Sequence, residues 1–231
     1  MYTPENSKVW EKAKPYIDSS IYYYSLWVGD YPYKVCTAVD GALSAGGGME
    51  YPTITIISAS SSPKELDIVI AHEVGHNWFY GILGSNERQH TWMDEGMNSY
   101  MEERYTQQRY GKGGSGMLGG LGDALKNVLP SNRGLEELVY FYEAGRGLDQ
   151  SLGLRGDEFT NTNYGVLCYK KTAMNFRYLA AYLGQEEFDR IMHQYYREWQ
   201  FKHPYPKDIE MVFERESKRN LDWFFGDLLN S

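Results

Sequence analysis

The stretch SPKELDIVIAHEVGHNWF, residues 62–79, opens with Ser62-Pro63-Lys64-Glu65, which combines a capping box with proline at the first helical position. Leu66, Val69, Ile70, Val74 and Trp78 then repeat at helical spacing, so the stretch predicts a helix ending at Gly81 or Gly84. Inside it stands His72-Glu73-Val74-Gly75-His76. Residues four apart share one helix face, so both imidazoles reach one cation, while Glu73, about 100° around the axis from His72, stands beside them. That is the geometry of a zinc-binding pair with a base alongside. Alone, the five-residue pattern arises by chance in roughly one chain of this length per hundred. The context comes from Glu95, nineteen positions after His76, within Trp92-Met93-Asp94-Glu95-Gly96. A second helix is expected to start after Thr91, with Asp94 at its third position, and to run to about Tyr110 before Gly111. Folded back across the short loop, its first turn presents Glu95 to the two histidines. Three ligands, His72, His76 and Glu95, leave a fourth position open, as a catalytic zinc site requires. Burying two histidines and two glutamates on a largely apolar helix pair would be costly without a metal.

Outward from this pair the pattern is mostly helical. Upstream, residues 5–28 predict an aromatic-rich helix ending near Gly29, and 33–39 a strand. Residues 40–48 form a small-residue loop, and 51–58, YPTITIIS, read as a β-branched strand whose Pro52 suits a sheet edge. Downstream, helices are expected at 123–129, 135–144, 164–183, 186–200, 206–218 and 220–229. The organisation is an α+β, mostly helical unit over 1–231: a strand-containing part, 1–61, then a helical part, 62–231, about three times longer.

The chain of 231 residues is 42% hydrophobic and 23% charged, enough for a substantial core. A formal charge of −8, with no basic stretch to offset it, argues against a nucleic-acid partner. No apolar run is long enough to span a membrane, and the start, MYTPENSKVWEKAKPY, lacks a signal-like apolar segment, so the chain as given is expected to be soluble with its compartment open. Cys36 and Cys168 are too few for a disulfide framework or a four-thiolate site and read as buried free thiols. In GKGGSGMLGGLG, residues 111–122, Gly111, Gly113 and Gly116 formally fit a dinucleotide fingerprint, but a helix rather than a strand precedes them. The segment reads as a mobile loop or linker.

At these residues the sequence resembles the zinc aminopeptidases typified by aminopeptidase N and leukotriene hydrolase. That gluzincin pattern is H-E-x-x-H, eighteen residues, then Glu in a W-x-x-E-G context, preceded by a G-x-M-E-N loop. Here Gly47-Gly48-Met49-Glu50 precedes the zinc helix, and residues 77–94 are the eighteen between His76 and Glu95. Tyr51 stands where the family usually has Asn. Thermolysin-type endopeptidases share the two histidines and a downstream Glu at slightly different spacing, without the G-x-M-E loop. The resemblance implies a thermolysin-like catalytic domain. It also implies that the family's preceding β-domain is absent from the chain and would contact it in a longer parent protein.

The resemblance further implies hydrolysis of the first peptide bond of a peptide with a free N-terminus, with one zinc ion held by His72, His76 and Glu95. Glu73 would be the general base, a role needing a carboxylate within one hydrogen bond of the attacking water. Tyr169-Lys170-Lys171-Thr172-Ala173 resembles the family's Y-E-K-G-A segment, which makes Tyr169 the oxyanion donor, although Lys170 and Thr172 depart from the pattern. Tyr164 matches a second tyrosine found near substrate in some relatives. Glu50 would pair with the substrate's α-ammonium, and Gly47 and Gly48 would let the backbone approach the substrate. Rival readings are an endopeptidase or epoxide hydrolase on the same scaffold, or a weakly active fragment serving as an interaction module. Asn98 and Ser99 are weak candidates for supporting the ligands, and His90, His193 and His203 read as ordinary surface or helix-face residues.

Overall fold

Pro15 divides the first helix of the chain. Where one helix is expected over 5–28, the computed structural model has two, α1 (Ser7–Trp10) and α2 (Ala13–Trp27). Pro15 is the third residue of α2, where it has no N–H to bond back to Glu11 and its ring crowds that carbonyl, so one helix cannot run through both. The structure describes residues 1–44, 46–58, 60–111 and 135–229. Of the expectations above, the helix at 123–129 and the glycine-rich segment beyond Gly111 lie outside these residues.

Three short strands follow: β1 (Thr37–Asp40), β2 (Gly48–Tyr51) and β3 (Ile54–Ile57), ordered β1-β3-β2. β3 runs parallel to β1 and antiparallel to β2, with Tyr51 opposite Ile54 and Glu50 opposite Thr55. The single strand expected over 51–58 is therefore a hairpin. Pro52 sits in its two-residue turn rather than on an edge, and Thr53 takes a left-handed φ of 68°. Proline's fixed φ followed by a positive φ is the type II pattern, which reverses the chain. The strand expected over 33–39 is confined to Thr37–Asp40, where β3 supplies a partner.

Helix α3 (Pro63–Gly75) begins as read: the Ser62 hydroxyl accepts from the Glu65 N–H at 3.2 Å. The reciprocal arm shifts by one residue, because the Glu65 carboxylate accepts from the Ser61 N–H at 2.7 Å. The helix stops at Gly75, short of the expected Gly81 or Gly84, and the chain winds through wide turns in which the N–H groups of Gly81, Ile82 and Leu83 bond the carbonyls of His76, Asn77 and Trp78. Trp78 remains fully buried there, its indole N–H bonding Gly29 O at 2.7 Å.

The next element departs from the reading in type. Trp92–Gly96 is a π-helical turn leading into α4 (Met97–Tyr110), and the Thr91 hydroxyl donates to Glu87 O at 2.8 Å instead of capping. Gly111, with φ 79°, ends α4 as expected. Beyond lie α5 (Leu135–Gly145), a π segment Tyr164–Lys171 continuing into α6 (Thr172–Leu183), then α7 (Gln185–Trp199), α8 (Pro206–Ser217) and a final π turn, Trp223–Leu228.

Helix α3 lies at the centre, with the sheet and α2 against it and α4 beside it, and α4 in turn packs on α6. Gly75 permits the close approach of α2, α3 and α4: a Cβ there would sit 2.0 Å from Asn98 Oδ1 and 2.4 Å from the Tyr24 ring. Phe176, Phe188, Phe213 and Phe224 fill the C-terminal half of the core through edge-on ring contacts. Among the described residues no helix is long and apolar enough to cross a membrane.

Candidate metal centre and active site

The last turn of α3 and the π turn before α4 face each other and bring three donor atoms into one triangle. His72 Nε2 lies 3.2 Å from His76 Nε2 and 3.2 Å from Glu95 Oε2, and His76 Nε2 lies 3.3 Å from Glu95 Oε2. Tetrahedral zinc with donors at about 2.0–2.1 Å would space them about 3.3 Å apart. The donor set thus fits zinc in atom type and in spacing. The far sides of the imidazoles are also committed: His72 Nδ1 bonds Glu102 at 3.0 Å and His76 Nδ1 bonds Asp94 at 2.7 Å. With each carboxylate accepting a hydrogen bond from Nδ1–H, the neutral rings turn their Nε2 lone pairs inward. The π turn serves this geometry, because its wider loop rotates consecutive residues less and lets Asp94 and Glu95 face α3 together.

The cluster is deeply buried, with His72 at 6% exposure, His76 at 2% and Glu73 at 6%. Burial pushes His72 down, but its hydrogen bonds to Glu102 and Glu95 outweigh this and hold it up at about 10. His76 is raised for the same reason by Asp94 and Glu95. Burial would raise Glu95, yet the two histidines hold its carboxyl well below the usual range. Glu73 behaves differently: burial lifts it to about 7, against the pull of His72 and His76. One of its oxygens, Oε2, is buried with no hydrogen-bond partner. A carboxylate balanced near neutrality, with a free acceptor, is equipped to take and return a proton.

Strand β2 brings Gly48 and Glu50 to the same place. One ligand atom of Glu50 lies within 4.8 Å of those of Glu73 and His76, and likewise of Asp94 and Glu95. At Gly48 an added Cβ would lie 2.3 Å from the Glu73 carboxyl carbon, so the missing side chain accommodates the buried acid. Gly47 has φ 66° and open space at its Cβ position. From the π segment Tyr164–Lys171, the Tyr169 ring stacks on His72, centroids 5.9 Å apart, and Tyr164 lies 6.0 Å from Tyr169. Burial raises the Tyr169 phenol strongly, and the negative charge of Glu95 adds to the effect, so it stays protonated.

His72, His76, Glu95, Glu73, Glu50 and Tyr169 thus meet at one centre, with Gly48 against Glu73 and Tyr164 beside Tyr169, and Asp94 and Glu102 join it. Asp94 and Glu102 hold the imidazoles. Glu102 is seven residues, about two turns, beyond Glu95, a spacing that could have pointed to it. Asn98 supports the helix rather than a ligand ring: its Nδ2 donates to His72 O at 2.8 Å, while Tyr24 OH donates to its Oδ1 at 2.9 Å. Asn77, the residue after His76, accepts from the Thr53 N–H at 2.8 Å. Ser99 is buried without a hydrogen-bond partner for its hydroxyl. His90, His193 and His203 stay outside, the last two bonded to the carbonyls of Leu26 and Gly84. Cys168 is buried as expected, but Cys36, in the irregular stretch just before β1, is only half-buried; both are free thiols.

The family model for the peptidase family M1 domain matches residues 21–227, nearly the whole chain. The chain belongs to peptidase family M1. Membership makes it a metallopeptidase domain of the zinc-dependent kind, with His72, His76 and Glu95 as the candidate zinc site. Among relatives, this M1 chain is 26% identical to leucine aminopeptidase 2-1 of Meyerozyma guilliermondii over 163 residues, covering 68% of the chain and 25% of that protein. It is 26% identical to mouse (Mus musculus) aminopeptidase B over 163 residues, covering 68% and 23%. The M1 chain therefore spans about a quarter of the length of these relatives. In fold it is similar to Legionella pneumophila aminopeptidase A, solved with aspartic acid, at a TM-score of 0.73 and 13% identity, over 100% of this chain and 26% of that one. The mostly helical, thermolysin-like α+β architecture expected from the resemblance is borne out.

Proposed function

We propose that this chain is the catalytic domain of a zinc-dependent aminopeptidase, hydrolysing the first peptide bond of substrates with a free N-terminus. The observation that carries the reading is the position of Glu50, whose carboxylate shares one small space with Glu73, His76, Asp94 and Glu95. An α-ammonium paired with Glu50 sits one residue's reach from the base, which places the first peptide bond, and no later one, beside Glu73.

The roles follow from each group's surroundings. His72, His76 and Glu95 would hold the metal, which when bound supplies Lewis acidity to a peptide carbonyl and to water. Glu73, lifted to about 7 and with a free buried oxygen, takes a proton from the attacking water and returns it to the departing amine. Tyr169, kept protonated by burial, donates a hydrogen bond to the developing oxyanion. Tyr164 lines the approach beside it. Gly47 and Gly48 let β2 come close to the acid and the substrate backbone. Contact with an N-terminal β-domain, implied by the family resemblance, belongs to the same proposal.

The test compares wild type and Glu50→Ala on aminoacyl anilides and their N-acetylated counterparts, with zinc measured per chain. The reading expects about one zinc, a strong preference for the free amine, and loss of that preference in Glu50→Ala. Equal hydrolysis of both substrates by the wild type would mean an endopeptidase, and turnover of an epoxide with no peptide hydrolysis would replace the reaction class.

A further inference from the structure

The hairpin that carries Glu50 is tied to the end of the zinc helix by a buried amide. Asn77 directly follows His76 and is 4% exposed. Its Nδ2 donates to Val74 O at 2.8 Å, which sets the orientation of the amide, and its Oδ1 accepts from the Thr53 N–H at 2.8 Å. Thr53 is the second residue of the hairpin turn and has a φ of 68°, a conformation that L-residues rarely adopt and that persists only where its surroundings over-determine it. Those surroundings are Asn77 on one side and Thr37 on the other, whose N–H bonds Thr53 O at 2.9 Å. The turn has only two residues and a fixed register, so a movement of Thr53 is carried directly into β2, where Glu50 faces Thr55.

We propose that Asn77 is a positioning residue for Glu50. By holding the Thr53 N–H it sets the distance between the hairpin and the helix that bears His72, Glu73 and His76, so the pocket for the substrate's ammonium lies at a fixed reach from the base. The inference rests on the reading of Glu50 as the ammonium's partner. Asn77 hydrogen-bonds neither the three candidate ligands' donor atoms nor Glu73; its side chain joins Val74 O of the helix to the Thr53 N–H of the hairpin.

Asn77→Ala removes the acceptor together with the Nδ2 donor to Val74 O, and Asn77→Asp restores an oxygen for the Thr53 N–H and, as the buried carboxylic acid, a donor to Val74 O. With zinc-loaded protein, Asn77→Ala is expected to keep its zinc and to raise KM for free-amine anilides about tenfold, with kcat within about threefold, since misplacement by a fraction of an ångström weakens binding more than it disturbs the base. The preference over N-acetylated substrates falls by the same factor, and Asn77→Asp recovers most of it. Amide hydrogen exchange at Thr53, slow in wild type, becomes fast in Asn77→Ala and slow again in Asn77→Asp. An unchanged preference in Asn77→Ala, beside a selective wild type, overturns the inference. Equal loss on both substrates, or loss of zinc, also overturns it by showing a merely structural role. A wild type with no preference for the free amine overturns the reading of Glu50 itself, and the Thr53 exchange then still reports whether the tether exists.

Discussion

Glu102 Oε2 lies 3.0 Å from Nδ1 of His72, thirty residues away in the chain and on the opposite helix. The bond turns the ring so that Nε2 faces Glu95, and Glu102 is itself fully buried, so no water can replace it.

Removing that carboxylate leaves the His72 ring free to rotate and its Nδ1 unpaired. Glu102→Ala is therefore expected to weaken zinc binding about 10–100-fold, the usual loss when the partner of a ligating histidine is deleted. Competition against a chelator of known affinity measures it. Unaltered zinc affinity would show that the π turn alone holds the donors in place.

The pH behaviour of the metal-free chain follows from the same contacts. His72 is raised from 6.5 to about 10, so its contribution is complete below pH 6.5 and is lost as pH rises through 10. Glu95 and Glu102 are lowered, so theirs is complete above about pH 4.5 and is lost on acidification. Thermal midpoints of the stripped protein should peak between about pH 5 and 7 and fall on both sides. Zinc binding at pH 8 should release a proton from His72, seen as a dependence of the calorimetric enthalpy on the buffer's ionisation heat. An enthalpy independent of buffer would show that the histidines are already neutral.

Glu73→Gln preserves the shape of the side chain but cannot carry the proton. Zinc content should stay at the wild-type level while kcat falls by about 10²–10⁴-fold. Turnover close to wild type would assign the base elsewhere.

Gly48→Ala tests the fit of β2 against the same acid. The new Cβ would meet the Glu73 carboxyl carbon at 2.3 Å, so either the strand or the acid must move. A displacement near 1 Å costs about 100-fold in rate, with zinc retained because no donor atom is touched. Full activity in this variant would mean that Glu73 works from a different rotamer.

The candidate ligands were legible in the sequence because their relation is local. Four residues on a helix give one face, Ser62-Pro63 marks where that helix begins, and the Trp92–Gly96 segment brings its acid within reach. Even so, local signals overshot wherever backbone geometry intervened. Helix α3 ended at Gly75 because the N–H groups of Asn77 and Trp78 bond only three residues back and those of Gly81, Ile82 and Leu83 five back, and the strand read through Pro52 became a hairpin once Thr53 accepted a positive φ. The spacing puts Glu102 two turns past Glu95 but does not show that its partner is His72, and nothing in it reveals that Asp94 bonds His76 or that Asn77 holds Thr53. Each of these contacts joins segments 18 to 30 residues apart, and which of many buried polar groups pair is settled only when packing has excluded water and left each one a single partner. The sequence by itself determined the candidate donor set and the helix that carries it; the tertiary structure decided how those donors are oriented and how far Glu50 stands from Glu73, because those depend on close packing between elements.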